Sequence, residues 1–209
     1  MSIINSKFLR LAIVLAAAEA VLLGAPAGTR ASIVKGPFTF ANSAFADAAN
    51  MVNGSVTFHG ASNLEEAVTG DFLGSFVQNF YAGEIFEVGF TDNYVYNGSG
   101  DDLVIFEEGL PNNLRVAVYA NGHSAPTAYR SYTPVALGIL DGVPTTAAVV
   151  DLSDFGLPAD APVSWVLIQS DDVNNVEISG IGALNSVPEP ATAALLGFAA
   201  LALLRRRGT

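Results

Sequence analysis

The sequence predicts an all-β fold: an antiparallel β-sandwich or jelly roll, flanked by an N-terminal signal peptide and a C-terminal transmembrane-like helix. Three observations lead there. Helical periodicity is scarce between residues 50 and 186. Short β-rich runs in that stretch are separated by Gly, Pro, Asn and Asp. Both ends of the chain are apolar runs beside basic residues, while the middle is acidic.

At the N-terminus, Lys7 and Arg10 precede LAIVLAAAEAVLLGAPA (11–27). A basic start, an apolar run and small residues read as a secretory signal. Ala25-Pro26-Ala27 predicts a cut after Ala27, and Thr29-Arg30-Ala31 offers an alternative end at Ala31; Glu19 weakens the apolar run. The Sec translocation machinery and signal peptidase are the implied partners. Residues 32–50 are Ala-rich and ambiguous between a first strand and a loose lead-in, whereas NLEEAVTGDFLGSF (63–76) has room for a helical turn or two.

The strands follow. In EIFEVGF (84–90), Phe86, Val88 and Phe90 fall on one face and Ile85 and Glu87 on the other. LRVAVYA (114–120) alternates in the same way. LVIFEE (103–108) and VSWVLIQ (163–169) are continuously apolar for longer, as central sandwich strands are. Turns are expected at Tyr96–Gly100, Ala120-Asn121-Gly122 and Leu140-Asp141-Gly142. Spacing of this kind suits a sandwich or jelly roll. The stretch between the two ends, 32–186, is one domain's worth of chain.

That stretch holds 18 acidic side chains against three basic ones, Lys35, Arg115 and Arg130, a formal charge of −15. Nucleic acid is a poor partner for such a surface, because phosphates are repelled. Divalent cations and neutral sugars suit it better. The chain has no cysteine, so disulfides, thiolate catalysis and thiolate metal sites are excluded.

The C-terminal stretch reads VPEPATAALLGFAALALLRRR (187–207). Its uncharged part, 191–204, is shorter than the ~20 residues a spanning helix needs. Pro188 and Pro190 stand directly before it, and Arg205, Arg206 and Arg207 favour the cytoplasmic side. This order of parts resembles the PEP-CTERM sorting signal of bacterial surface proteins, with Val187, Pro188, Glu189, Pro190 and the three arginines as the motif. The resemblance implies processing by an exosortase, a membrane-embedded cysteine transpeptidase-like enzyme. It also implies an inner-membrane stage in a Gram-negative-type bacterium, then release to the cell surface or extracellular matrix. The organisation expected is therefore a signal peptide (1–27), an ectodomain (32–186) and a sorting tail (187–209).

A second resemblance lies in the middle. VGFTDNYVYNGSGDDLVIFEEG (88–109), VVDLSDFGLP (149–158), VSWVLIQSDD (163–172) and EISGIGALN (177–185) resemble a domain recurrent in exported bacterial proteins. The resemblance implies a galactose-binding-like β-sandwich. The family's closing pattern carries a further aspartate where Val176, Ile178 and Ser179 stand here.

The chemistry on offer is oxygen-rich. Ca²⁺ takes six to eight oxygens from carboxylates, amides and backbone, and the loops supply Asp92, Asn93, Asn97, Asp101, Asp102, Glu107, Asp171, Asp172 and Glu177. Adjacent Asp101 and Asp102 point to opposite faces. NGSGDDLVI (97–105) loosely fits a calcium β-roll repeat, but one copy without neighbours reads as a turn into a strand. Catalysis is poorly served. His59 and His123 are the only histidines, with no metal-protease spacing and no nucleophile elbow. Paired carboxylates such as Glu65/Glu66 leave a glycan hydrolase as a third reading. For sugar, Tyr129, Arg130 and Tyr132 are the expected ligand residues, placed in a loop, while Trp165 is expected in the core. The reading is a noncatalytic exported surface or matrix protein associated with exopolysaccharide. A Ca²⁺-dependent carbohydrate-binding module is its alternative.

Overall fold

The computed structural model describes residues 32–41, 44–70, 74–120, 124–171 and 176–188. The expected signal peptide (1–27), Glu189, Pro190 and the rest of the expected sorting tail, His123 and Asp172 lie outside the described residues.

Among the described residues fifteen strands and one short helix run in order: β1 Ser32–Lys35, β2 Phe38–Ala41, β3 Ala48–Asn53, β4 Thr57–His59, α1 Leu64–Val68, β5 Phe76–Gln78, β6 Ile85–Gly89, β7 Asn93–Tyr96, β8 Leu103–Glu108, β9 Leu114–Ala120, β10 Arg130–Tyr132, β11 Val135–Leu140, β12 Val143–Val150, β13 Pro162–Ser170, β14 Ile178–Ala183 and β15 Ser186–Pro188. A 3-10 turn, Leu152–Phe155, precedes β13. Among the described residues every strand pairing is antiparallel, so the all-β antiparallel prediction holds.

One sheet has seven strands in the order β10-β9-β13-β6-β3, with β7 also on β13 and β15 on β7. The other has four, β11-β12-β8-β14. Hairpins β1-β2 and β4-β5 complete the structure. The continuous apolar run of β8 has its cause in this order. The strand lies inside the four-stranded sheet and all six of its residues are buried. Phe106 meets Phe38 and Phe40 of the first hairpin with ring centroids 6.0 Å from each. Leu103 and Ile105 alternate to the opposite face. Phe40 also presses on Gly182, where a Cβ would come within 2.6 Å of its ring.

Residues 32–50, ambiguous in sequence, form the first hairpin and lead into β3. The predicted helical turn is α1. Asn63 caps it, its Oδ1 accepting the Glu66 N–H at 2.9 Å, and Glu66 accepts the Ser62 N–H in return. The turn at Leu140–Gly142 joins β11 to β12 with positive φ at Asp141 and Gly142. Two expectations are corrected. Arg130 and Tyr132 are not loop residues: β10 pairs with β9 as the sheet's edge. Trp165 is not a core residue, for reasons given below.

The last strand bears on the tail. Ser186, Val187 and Pro188 pair with Val95, Tyr94 and Asn93. Proline lacks an N–H, and an edge strand tolerates that loss.

Candidate functional site

Alternation divides the seven-stranded sheet into two faces. Leu114, Val116, Val118, Val166, Ile168, Phe86 and Val88 are buried on the inner face. Cross-strand pairs then fix the outer face. Trp165 stands opposite both Tyr119 and Gly89, and Gln169 opposite Arg115. Leu167 pairs with Glu87, and Arg115 with Ser131.

The register explains Trp165. A bulge between Val163 and Trp165 inserts one residue, so Val163 faces inward, fully buried, and Trp165 faces outward, partly exposed. Gly89 makes room for it. A Cβ there would lie 2.8, 2.9 and 3.0 Å from Cη2, Cζ2 and Cζ3 of the indole. Near-equal distances to three consecutive ring atoms place Gly89 under the ring face, not at its edge. The indole therefore lies flat over the strand.

Other aromatics share this face. Tyr129 carries the Arg115 guanidinium 5.3 Å from its ring centroid, and Arg115 also donates to Gln169 Oε1 at 3.2 Å. Burial pushes the Tyr129 hydroxyl above its ordinary range. On β7, Tyr94 and Tyr96 meet edge-on at 6.4 Å and flank the inward Val95. Tyr132 goes elsewhere. It pairs with the buried Leu114, donates its hydroxyl to Asp154 Oδ2 at 3.1 Å and packs near Phe155. Burial and the Asp154 charge raise its hydroxyl pKa. With exposed Arg130, Ser131 and Asp154 it lines an open depression of about 380 Å³. The predicted ligand trio is thus split: Tyr129 on the outer face, Arg130 and Tyr132 at the sheet's edge. Arg115 and Asp154, their partners, carried no local sequence signal.

The predicted metal ligands fall in separate places. Asp102 is fully buried. It accepts Gly98 N–H at 2.8 Å, Leu152 N–H at 2.8 Å and Asn185 Nδ2 at 2.9 Å, binding three segments together. Asp101, its neighbour, is exposed, as alternation requires. Asn97 is buried and donates to the Leu157 and Pro158 carbonyls. Glu107 is buried between Asn112, which donates through N at 3.0 Å and Nδ2 at 2.6 Å, and Thr146, which donates at 3.1 Å. Burial pushes its carboxyl up to about 7. Glu177 lies near Glu108, whose carboxyl is raised by burial and by the Glu177 charge. Asp171 is exposed, its N–H donating to the Asn113 carbonyl.

Asp92 and Asn93 do come together, with Asn93 Nδ2 donating to Asp92 Oδ1 at 2.8 Å. They are joined by Asp47, which sequence reading missed. Asp47 accepts from the Thr91 N–H, the Thr91 hydroxyl and the Asp92 N–H. Lost hydration first, and the Asp47 charge second, raise the Asp92 carboxyl. Among the described residues no three His, Asp or Glu side chains converge to hold a metal.

A family profile described as the PEP-CTERM protein-sorting motif matches residues 186–207, beginning at the first residue of β15. The motif marks an exported, cell-surface-directed protein. Among the described residues no helix is long and apolar enough to cross a membrane. No curated protein sequence matches the chain. Solved structures similar to it include the CBM32 of AlyQ in complex with 4,5-unsaturated mannuronic acid, at 8% identity and TM-score 0.36, over 66% of this chain and 94% of that one. A second is CpGH89 from Clostridium perfringens in complex with GlcNAc-alpha-1,4-galactose, at 15% identity and TM-score 0.36, over 65% of this chain and 14% of that one. A third is the catalytic domain of a GH87 alpha-1,3-glucanase in complex with tetrasaccharides, at 16% identity and TM-score 0.32, over 69% and 29%.

Proposed function

We propose that this chain is a noncatalytic surface or extracellular-matrix protein that is processed by an exosortase through its tail and associates with exopolysaccharide. The observation that carries the reading is the sorting motif over 186–207, which starts where the last strand of the domain starts. An inner-membrane stage precedes processing. Export by the Sec machinery and trimming by signal peptidase belong to the same reading. The acidic domain, at −15 over 32–186, suits a sugar partner and disfavours nucleic acid. The test is the mass of the mature C-terminal fragment, recovered from hosts with and without exosortase. A terminus near Pro188–Pro190 that requires the enzyme supports the reading. A chain ending at Thr209 in both hosts removes it.

The second reading is a Ca²⁺-dependent carbohydrate-binding module. It is favoured by the Asp47–Asp92 pair, where a cation would neutralise two adjacent carboxylates, with Asn93 beside them. Melting the full chain with and without EDTA tests it. An unchanged midpoint sinks the calcium.

A further inference from the structure

Taking the carbohydrate-associating reading as its basis, we propose that the outer face of the seven-stranded sheet is the glycan platform. Its ligand is an uncharged, extended pyranose chain lying across Trp165, Tyr119 and Tyr129.

Three features of the face support this. The first is the flat indole. With one side over Gly89, its other side is turned away from the sheet, and Trp165 is partly exposed. A flat π-face offers area at little conformational cost and suits the C–H side of a sugar ring. Tyr119 is the directly opposed neighbour on β9, and adjacent strands lie ~4.8 Å apart.

The second is what surrounds the rings. Gln169, Glu87, Asn50 and Ser131 share the face by register. They supply the amide, carboxylate and hydroxyl groups that hydroxyl-rich ligands need. Arg115 is held in place by Tyr129 and Gln169, so one partner of the platform is already ordered before binding.

The third is charge. The domain is strongly acidic, yet among the described residues the pairings place one acid, Glu87, and one base, Arg115, on this face. The acids concentrate on other surfaces and in turns. The face is locally neutral inside a negative field, which repels an acidic polymer and leaves an uncharged one unhindered.

The chain's single tryptophan makes the site its own reporter. Full-length protein is titrated with galactomannan, dextran and xylan as neutral probes and alginate as the anionic one. Emission, acrylamide quenching and retardation in polysaccharide-containing gels are followed. The expected result is a saturable emission change and protection from acrylamide with at least one neutral polymer, and none with alginate. Tyr119→Ala and Tyr129→Ala should each weaken retardation about tenfold. Tyr81→Ala, an exposed tyrosine off this face, should not. Trp165→Ala should abolish it, and the two tyrosine variants decide the matter if that protein fails to fold. Retardation unchanged in all three face variants places the glycan elsewhere, which overturns the platform and leaves the general reading standing. Response to alginate alone overturns the uncharged ligand. No response to any polymer removes both platform and carbohydrate reading.

Discussion

Replacing Glu107 with Gln should change how stability depends on pH. Glu107 is fully buried in the central strand of the four-stranded sheet, with three donors aimed at its carboxyl. Burial moves its pKa from 4.5 to about 7. Between those two values the folded state therefore holds a proton that the unfolded chain has released. That contribution is fully present below the unfolded value and is lost as pH rises through the folded one. Between about pH 5 and pH 8 the loss amounts to about 2–3 kcal/mol, from a shift of 4.5 to about 7 at 1.36 kcal/mol per unit. Glutamine never ionises and cannot follow this curve. It places an NH₂ against a donor, at a cost of about 1–2 kcal/mol. Glu107→Gln should thus be the less stable protein near pH 5 and should equal or exceed the parent near pH 8. Urea unfolding of the full chain across this range measures both curves. Glu108 and Asp92 are raised too and add slope of the same sign to both proteins, so the difference between curves isolates Glu107. Parallel curves would refute the reasoning.

Three further outcomes are expected. Gly89→Ala would put a methyl 2.8 Å from the indole, lift the ring and change the tryptophan emission, with a destabilisation of about 1–3 kcal/mol; an unaltered spectrum contradicts the flat placement. Asp102→Ala leaves Gly98 and Leu152 N–H groups without their acceptor and should cost about 2–4 kcal/mol in chemical melts; a loss under about 0.5 kcal/mol would show the three segments are held otherwise. Tyr94→Cys with Val187→Cys, directly opposed in a chain without cysteine, should oxidise to a disulfide, whereas Val95→Cys with Val187→Cys should not; the reverse pattern would mean a different β15 register.

Much of the fold was legible because local periodicity carries it. Phe86, Val88 and Phe90 alternate, and they are buried as that alternation demands. The continuous run of β8 read as a central strand, and it is one. What failed was the facing of Trp165. An apolar run does not say which side a residue takes, and the bulge at Ser164 reverses the parity that counting would give. The site was legible only in its residue types. Asp47 meets Asp92, Tyr132 meets Asp154 and Arg115 meets Tyr129 across sheets and turns, with separations of 45, 22 and 14 positions. Such pairings are made by tertiary closure, and nothing in the neighbouring sequence anticipates them. β10 escaped notice because three residues before Thr133-Pro134 are too few to show a period.

The edge position of β15 has a mechanical consequence. A pull from beyond Pro188 reaches Pro188 first and meets three residues that, among the described residues, are held along one side. They can peel from β7 one pair after another, each releasing about 3.3 Å, for roughly 10 Å of slack in all. The pull then arrives at Asn185, whose carbonyl accepts the Tyr96 N–H and whose amide donates to Asp102. From there it is shared with the loop before β8 and with the turn after β12. A force applied beyond Pro188 is taken up in the first nanometre by a segment outside the core, and a force–extension trace should show that short step well before the sandwich opens.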